Sequence, residues 1–284
     1  MAILSIQSHV AYGYVGNRAA TFPLQRLGNE VWTVNTVEFS NHTGYPSWKG
    51  RVLGAEVVRD LVAGIEERGA LGLCSALLTG YLGDAEVGEA VLDALAAVRK
   101  ANPDAVYCCD PVMGDYGSGF FVREGIPPML RDRIVPAADI VTPNQFELEA
   151  LTGRNVHGME DARRAIDSLH ERGCRVVLVT SYRGDESEAN HIDMLVSDRG
   201  RLSRIRTPEL ALDPAPNGVG DLTAALFLAR WLETGDAAAA LELTTDSVYA
   251  VLERTLRAGR REMALVEAQD ELAAPTRRFA AQRV

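Results

Sequence analysis

"SALLTGYLGDAEVGEAVLDALAAVRKANPDAVYCCD", Ser75 to Asp110, decides the fold. Its opening, "SALLTG" (75–80), is a short apolar run closed by glycine, which reads as a strand. "AEVGEAVLDALAAVRKA" (85–101) is longer and built from strong helix formers. "AVYCCD" (105–110) is a second strand, rich in β formers and stopped by Asp110. Strand, helix and strand in so short a span make a βαβ unit. Its two strands lie parallel in one sheet, with the helix across a face.

The same alternation extends in both directions. Upstream, "AILSIQS" (2–8) and "EVWTVNTVEF" (30–39) read as strands around a helix at 17–28, closed by Gly28. A further helix follows at 54–69. Downstream, "ADIVT" (138–142), "RVVLVTS" (175–181) and "IDMLVS" (192–197) read as strands. Helices are expected near 144–151 and 159–172, at 219–234 and over most of 236–273. The expected architecture is a three-layer α/β/α sandwich around a mainly parallel sheet, in a single domain spanning 1–284. The stretch "NHTGYPSWKGR" (41–51) has no core periodicity and reads as a flap over a site or as a surface loop.

Bulk composition narrows the function classes. The chain has 284 residues, 47% of them hydrophobic, enough for a large core. Lys and Arg number 29 against 39 Asp and Glu, a formal charge of −10. That balance argues against a nucleic-acid or anionic-membrane partner. Attraction for an anionic substrate must then be local. The four cysteines, Cys74, Cys108, Cys109 and Cys174, form no C-x-x-C pair, so they read as buried thiols in a reducing compartment. No stretch approaches the ~20 apolar residues of a membrane span, and the N-terminus has no signal-peptide pattern. A cytoplasmic protein is expected.

In open α/β sheets ligands bind beyond the carboxyl ends of the strands. Polar residues recur there: Ser8, Gly80-Tyr81, Asp110, Thr142-Pro143-Asn144 and Thr180-Ser181. "APNGVGDLTAALFLARW" (215–231) adds a glycine-lined helix start, with an apolar stripe at Leu222, Ala225, Leu226, Ala229 and Leu232. Free N–H groups and the helix dipole make such a start an anion site, with Asp221 beside it. Taken alone, the motif reads sooner as a turn at Gly218 and Gly220 followed by an N-cap at Asp221, because short glycine motifs recur by chance. "CCDPVMGD" sets Asp110 and Asp115 where carboxylates hold Mg²⁺, or where a solvated turn carries them. "TPNQFELEAL" presents Asn144 and Glu147 on one helical face. Capping boxes from Thr142 to Gln145 or from Asn144 to Glu147 explain that stretch as well. The P-loop, the G-x-G-x-x-G fingerprint and the G-x-S-x-G elbow are absent.

"GVGD" before a late helix, "DPVMGD" and "TPNQFELEALTG" resemble the ribokinase superfamily. "ILSIQSHVAYGYVGNRAATFPLQRLG", "VNTVEFSNHTGYPSWKG" and "LLTGYLGD" narrow the resemblance to the pyridoxal kinase family, with notable likeness to animal-type sequences. The resemblance runs from about residue 2 to 273. It implies a ribokinase-like fold and ATP-dependent phosphorylation of the 5′-hydroxymethyl group of pyridoxal, pyridoxine or pyridoxamine. It also implies a divalent cation, usually Mg²⁺, activation by K⁺, and a homodimer. By position, Asp221 matches the catalytic base, and Gly218, Val219 and Gly220 the anion hole. Ser8 and Thr43, with Gly44, match contacts to the ring's polar edge; Val15, Val37 and Tyr81 match its apolar walls. Asp110, Asp115, Asn144 and Glu147 match the metal and phosphate network, with Asp110, Asp115 and Glu147 as metal residues. Thr142, Thr180 and Ser181 match ATP phosphate or cation contacts, and Arg206 an adenine-side contact. Phe121 stands where animal enzymes carry a tyrosine. A hydroxymethylpyrimidine or other small-molecule kinase, and a non-catalytic B6-binding protein, are the competing readings.

Overall fold

The Ser75–Asp110 segment folds into β4 (Cys74–Thr79), α3 (Ala85–Ala101) and β5 (Val106–Cys109), with Ala76 to Thr79 paired in parallel to Val106 to Cys109. Asp84 caps α3 by accepting the Glu86 N–H. The computed structural model describes all 284 residues. Ahead of β4 lie β1 (Ala2–Val10), α1 (Asn17–Arg26), β2 (Glu30–Phe39), β3 (Gly50–Val52) and α2 (Ala55–Glu67). Behind β5 come a hairpin of β6 (Gly114–Asp115) and β7 (Gly119–Phe120), then α4 (Ile126–Met129), β8 (Ile140–Val141), α5 (Gln145–Thr152) and α6 (Met159–Glu171). The remainder is β9 (Val176–Tyr182), β10 (His191–Asp198), β11 (Arg201–Pro208), α7 (Val219–Thr234), α8 (Ala237–Arg257), α9 (Gln269–Ala273) and β12 (Gln282–Arg283).

One 10-stranded sheet runs β12-β11-β10-β9-β8-β5-β4-β1-β2-β3. Its middle, from β2 to β9, is parallel; β3 at one edge and β10 to β12 at the other are antiparallel. From β1 the chain adds β2 on one side and then crosses to place β4 on the other. That reversal opens a crevice beyond the strand ends. Alternation sends successive side chains to opposite faces. Leu4, Ile6, Tyr107 and Cys109 join α2, α3, α5 and α6 in one core, while Ile3, Leu78 and Cys108 join α1, α7 and α8 in the other. Each fully buried Leu or Ile contributes about 1.5–3 kcal/mol. All four cysteines are free and buried.

Two expectations are corrected and one element is added. Helix α7 has no single apolar stripe: every residue from Leu222 to Trp231 is buried, because α1 and α8 enclose the side that the sheet does not. The stretch 201–208, unassigned from sequence, is the strand β11. Its buried Leu202 and Ile205 enter opposite cores, so no period of two is visible. Helix α8 stops at Arg257, where Gly259 turns the chain left-handed with φ +60°, and 260–268 is a loop.

Candidate active site

The carboxyl ends of the parallel strands meet the start of α7 in a cleft of about 310 Å³. Ser8, Val15, Val37, Thr43, Tyr81, Asp110, Asp115, Thr142, Asn144, Glu147, Thr180, Gly218, Val219, Gly220 and Asp221 all line it. Residues scattered from position 8 to 221 in sequence are thus brought to one place. Gly44, Ser181 and Arg206 do not line it. Gly44 lies on the flap, where its carbonyl oxygen accepts from Arg261 at 3.0 Å. Ser181 is exposed, in a left-handed conformation with φ 55°. Arg206 donates to the fully buried Asp193 at 2.6 and 2.8 Å and also to Glu188, so its guanidinium is committed to strand β10 and its loop.

Backbone geometry at α7 accounts for the Gly-Val-Gly-Asp motif. The N-cap is Gly218, at φ 83° and ψ 7°, with no side-chain cap. Asp221 is therefore not the N-cap; it sits inside the first turn, third in the helix. Its side chain is half-buried in the cleft. Burial pushes its carboxyl up to about 6, tempered by the Gly16 N–H. Gly16 in turn has φ +52°, and any Cβ there would lie 2.1 Å from the Ser8 carbonyl oxygen.

At the opposite wall, Asn144 caps α5 and forms the capping box with Glu147; the box from Thr142 to Gln145 does not form. Glu147 Oε2 accepts the Asn144 N–H at 2.9 Å and Oε1 accepts the Met113 N–H at 2.9 Å, so one buried carboxylate braces both the helix start and the Asp115 loop. Burial pushes it up to about 7 against those stabilising hydrogen bonds. Thr142 instead donates from Oγ1 to Asp110 Oδ1 at 3.1 Å. Burial, with Glu147 and then Asp221 nearby, raises the Asp110 carboxyl well above the usual carboxylate range. Asp115 accepts the Ser118 N–H at 2.7 Å, so it serves its turn while facing the cleft. Four carboxylates thus line a cleft that contains no Lys or Arg.

His42, Asn217 and Phe39 also line the cleft and were not singled out from sequence. The Gly44 N–H donates to His42 Nδ1 at 3.1 Å, which leaves the ring proton on Nε2. Burial lowers the His42 pKa, favouring that neutral form. The signal available for His42 was only its place beside Thr43. Asn217 was masked by the glycines that follow it.

Residues 70–265 match the family model described as phosphomethylpyrimidine kinase. Over 283 residues the chain is 56% identical to the pyridoxal kinase PdxY of Rubrobacter xylanophilus, covering 99% of this chain and 97% of that one. The chain belongs to the pyridoxal kinase family. Identity to the pyridoxal kinase PdxY of Corynebacterium diphtheriae is 48% over 284 residues, all of both chains. The ribokinase-like architecture is shared with pyridoxal kinase from Leishmania donovani, solved in complex with ADP and pyridoxamine, at a TM-score of 0.92 and 31% identity over 100% of this chain and 99% of that one. Pyridoxal kinase from Entamoeba histolytica superposes at a TM-score of 0.90 with 26% identity, covering 100% and 99%.

Proposed function

We propose that this chain transfers the γ-phosphoryl group of ATP to the 5′-hydroxyl of pyridoxal, and of pyridoxine and pyridoxamine. The new bond joins that oxygen to phosphorus, the bond to the β-phosphate bridge breaks, and ADP leaves. The observation that carries this reading is one cleft joining the Gly218–Asp221 helix start to Ser8, Val15, Val37 and Thr43, in a chain that matches pyridoxal kinases over its full length. Phosphoryl transfer depends on positioning and charge stabilisation more than on covalent chemistry. The N–H groups of Gly218, Val219 and Gly220 receive the migrating phosphoryl oxygens. Asp221 takes the hydroxyl proton; a carboxyl near 6 is ionised at neutral pH and a stronger base than an ordinary aspartate. Ser8 and Thr43 hold the polar edge of the ring between Val15, Val37 and Tyr81. Thr142, Asn144 and Thr180 flank the phosphate chain.

A triphosphate entering a cleft with four carboxylates and no Lys or Arg needs a cation. Of Asp110, Asp115 and Glu147, one or two would hold Mg²⁺ directly, Asp110 first, and the others through water. No three His, Cys, Asp or Glu residues converge closely enough to chelate a metal alone, which suits an ion that takes one or two carboxylates and completes its shell with water and phosphate oxygens. Bound there, Mg²⁺ would offset charge on the phosphate oxygens. Activation by K⁺ would act near Thr180 and Ser181, and exchanging K⁺ for Na⁺ in the assay tests it. The reading also includes a single kinase domain, a homodimer measurable by light scattering, and a cytoplasmic location, where ATP is the donor and buried thiols stay reduced.

The family-model description favours a second reading, phosphorylation of a hydroxymethylpyrimidine. Purified protein given ATP and Mg²⁺ with each B6 vitamer, hydroxymethylpyrimidine or ribose separates the two. The proposal expects a 5′-phosphate and ADP in equal amounts from pyridoxal. Turnover of the pyrimidine or the sugar with every vitamer inert overturns it.

A further inference from the structure

The loop 260–268 carries two side chains that reach the flap without entering the cleft. Glu262 Oε1 accepts from the Tyr45 hydroxyl at 2.5 Å, and its Oε2 accepts the Tyr14 N–H at 3.2 Å. Arg261 donates from Nη2 to the Gly44 carbonyl oxygen at 3.0 Å, with its guanidinium carbon 3.8 Å from the centroid of the Tyr45 ring. Glu262 fills the space beside Gly13, where φ is +91° and a Cβ would lie 2.3 Å from Oε2. The base of this loop is immobilised by packing, since Met263, Ala264 and Leu265 are buried. The flap is exposed at Thr43, Gly44 and Pro46 to Gly50. The neck of the flap is tied by pairing to β2 and by Trp48 on Phe39, while polar contacts to the anchored loop hold its Gly44–Tyr45 tip.

Both ends of this bridge adjoin the vitamer half of the cleft. Tyr45 and Gly44 follow His42 and Thr43, and Tyr14 precedes Val15. We infer that Arg261 and Glu262 are positioning residues, a latch that holds the 41–51 flap and the Tyr14–Val15 turn closed over the vitamer ring. The inference deepens the proposed kinase reading and rests on it. A ligand that needs the closed flap binds more weakly in proportion to the closed fraction lost. Asp110, Thr142, Asn144 and Thr180 make no hydrogen bond to Arg261, Glu262 or Tyr45, and the anion-hole turn meets the latch through Gly218 against the Tyr14 carbonyl oxygen. Loss of the latch therefore weakens the vitamer and spares ATP.

Tyr45→Phe removes one hydroxyl and keeps the ring against Arg261; Glu262→Gln removes the charge and keeps the shape. Each should raise KM for pyridoxal about tenfold, the loss of one hydrogen bond to a charged group. KM for ATP and Tm should stay near wild type; any fall in kcat should be smaller than the rise in pyridoxal KM, because the latch reaches the anion hole only through the Tyr14 backbone against Gly218. Amide hydrogen exchange across 41–48 should speed up in both variants, without ligand. A wild type inert toward every vitamer would defeat the kinase reading, and the exchange measurement would still test the latch. Active variants with unchanged pyridoxal KM, equal rises in both KM values, or wild-type exchange across 41–48 would each overturn the latch.

Discussion

The Cα of Gly218 packs against the carbonyl oxygen of Tyr14: a Cβ built at Gly218 would lie 1.8 Å from that oxygen, and φ there is +83°. The anion-hole turn and the vitamer-side loop are thus in direct backbone contact. Gly218→Ala meets both a clash and a left-handed backbone costing on the order of 1–3 kcal/mol. It should lower Tm clearly and abolish most activity. Gly220 has only the Asp110 Oδ2 atom near its Cβ position, at 3.9 Å. Gly220→Ala should keep or raise Tm, since alanine favours a helix by about 1 kcal/mol over glycine. Its methyl group enters the cleft, so turnover should fall while the fold holds. Equal thermal behaviour of the two variants would contradict this assignment.

Asp221 separates catalysis from capping because Gly218, not Asp221, is the N-cap. Neither Asp221→Asn nor Asp221→Ala should lose a helix cap. Both should lose the base, and general-base removal typically costs ~10²–10⁴ in rate. We expect kcat to fall by that order in both, with ATP binding near normal by calorimetry. An Asn variant retaining half of wild-type kcat would remove Asp221 from the mechanism.

The same residue makes stability depend on pH. The carboxyls of Asp221 and Glu147, at about 6 and about 7, lie above their ordinary values, so the folded state holds protons that the unfolded chain has released. Their stabilising contribution is full below about pH 4 and is lost as pH rises through 6 and 7. Denaturant unfolding of the ligand-free protein should therefore show stability falling between pH 5 and 8. Asp221→Asn should be the more stable protein at pH 8, by at most about 2–3 kcal/mol. The difference should vanish toward pH 4. A variant less stable than wild type at pH 8 would reverse the sign argued here.

The parallel sheet was legible because β4, α3 and β5 each carry one strong, local pattern. The cleft was legible at strand ends, where Asp110 and Thr142 halt apolar runs. What escaped lacked a local signature. β11 hides behind its arginines, with Leu202 and Ile205 turned to opposite cores. The loop of Arg261 and Glu262 follows a long helical pattern that gives no sign of stopping before Gly259. Its partners Tyr45 and Tyr14 lie more than two hundred residues away in sequence. Asn144 and Glu147 form the capping box and line the cleft, so neither reading excluded the other. Arg206 looked available only because the buried Asp193 that holds it comes from a neighbouring strand.

Asp110 offers the sharpest test of the cation. Its carboxylate is buried beside Glu147 and Asp221, and Thr142 is its only hydrogen-bond donor. Asn in its place can still accept from Thr142 through its amide oxygen, so a purely structural Asp110 would tolerate Asp110→Asn with little effect. Without ligands the variant should melt no lower than wild type, because it removes one of several crowded carboxylates. With ATP present, losing a carboxylate that faces the ion should raise the Mg²⁺ concentration for half-maximal activity. A rise on the order of 10–100-fold is expected, as for other perturbed metal sites. KM for pyridoxal should change little, since the vitamer is held by Ser8, Thr43 and the apolar walls. Titrating Mg²⁺ at saturating pyridoxal checks all of this. A variant with wild-type Mg²⁺ dependence would return Asp110 to a structural partner of Thr142, and the cation would have to be held elsewhere in the cleft.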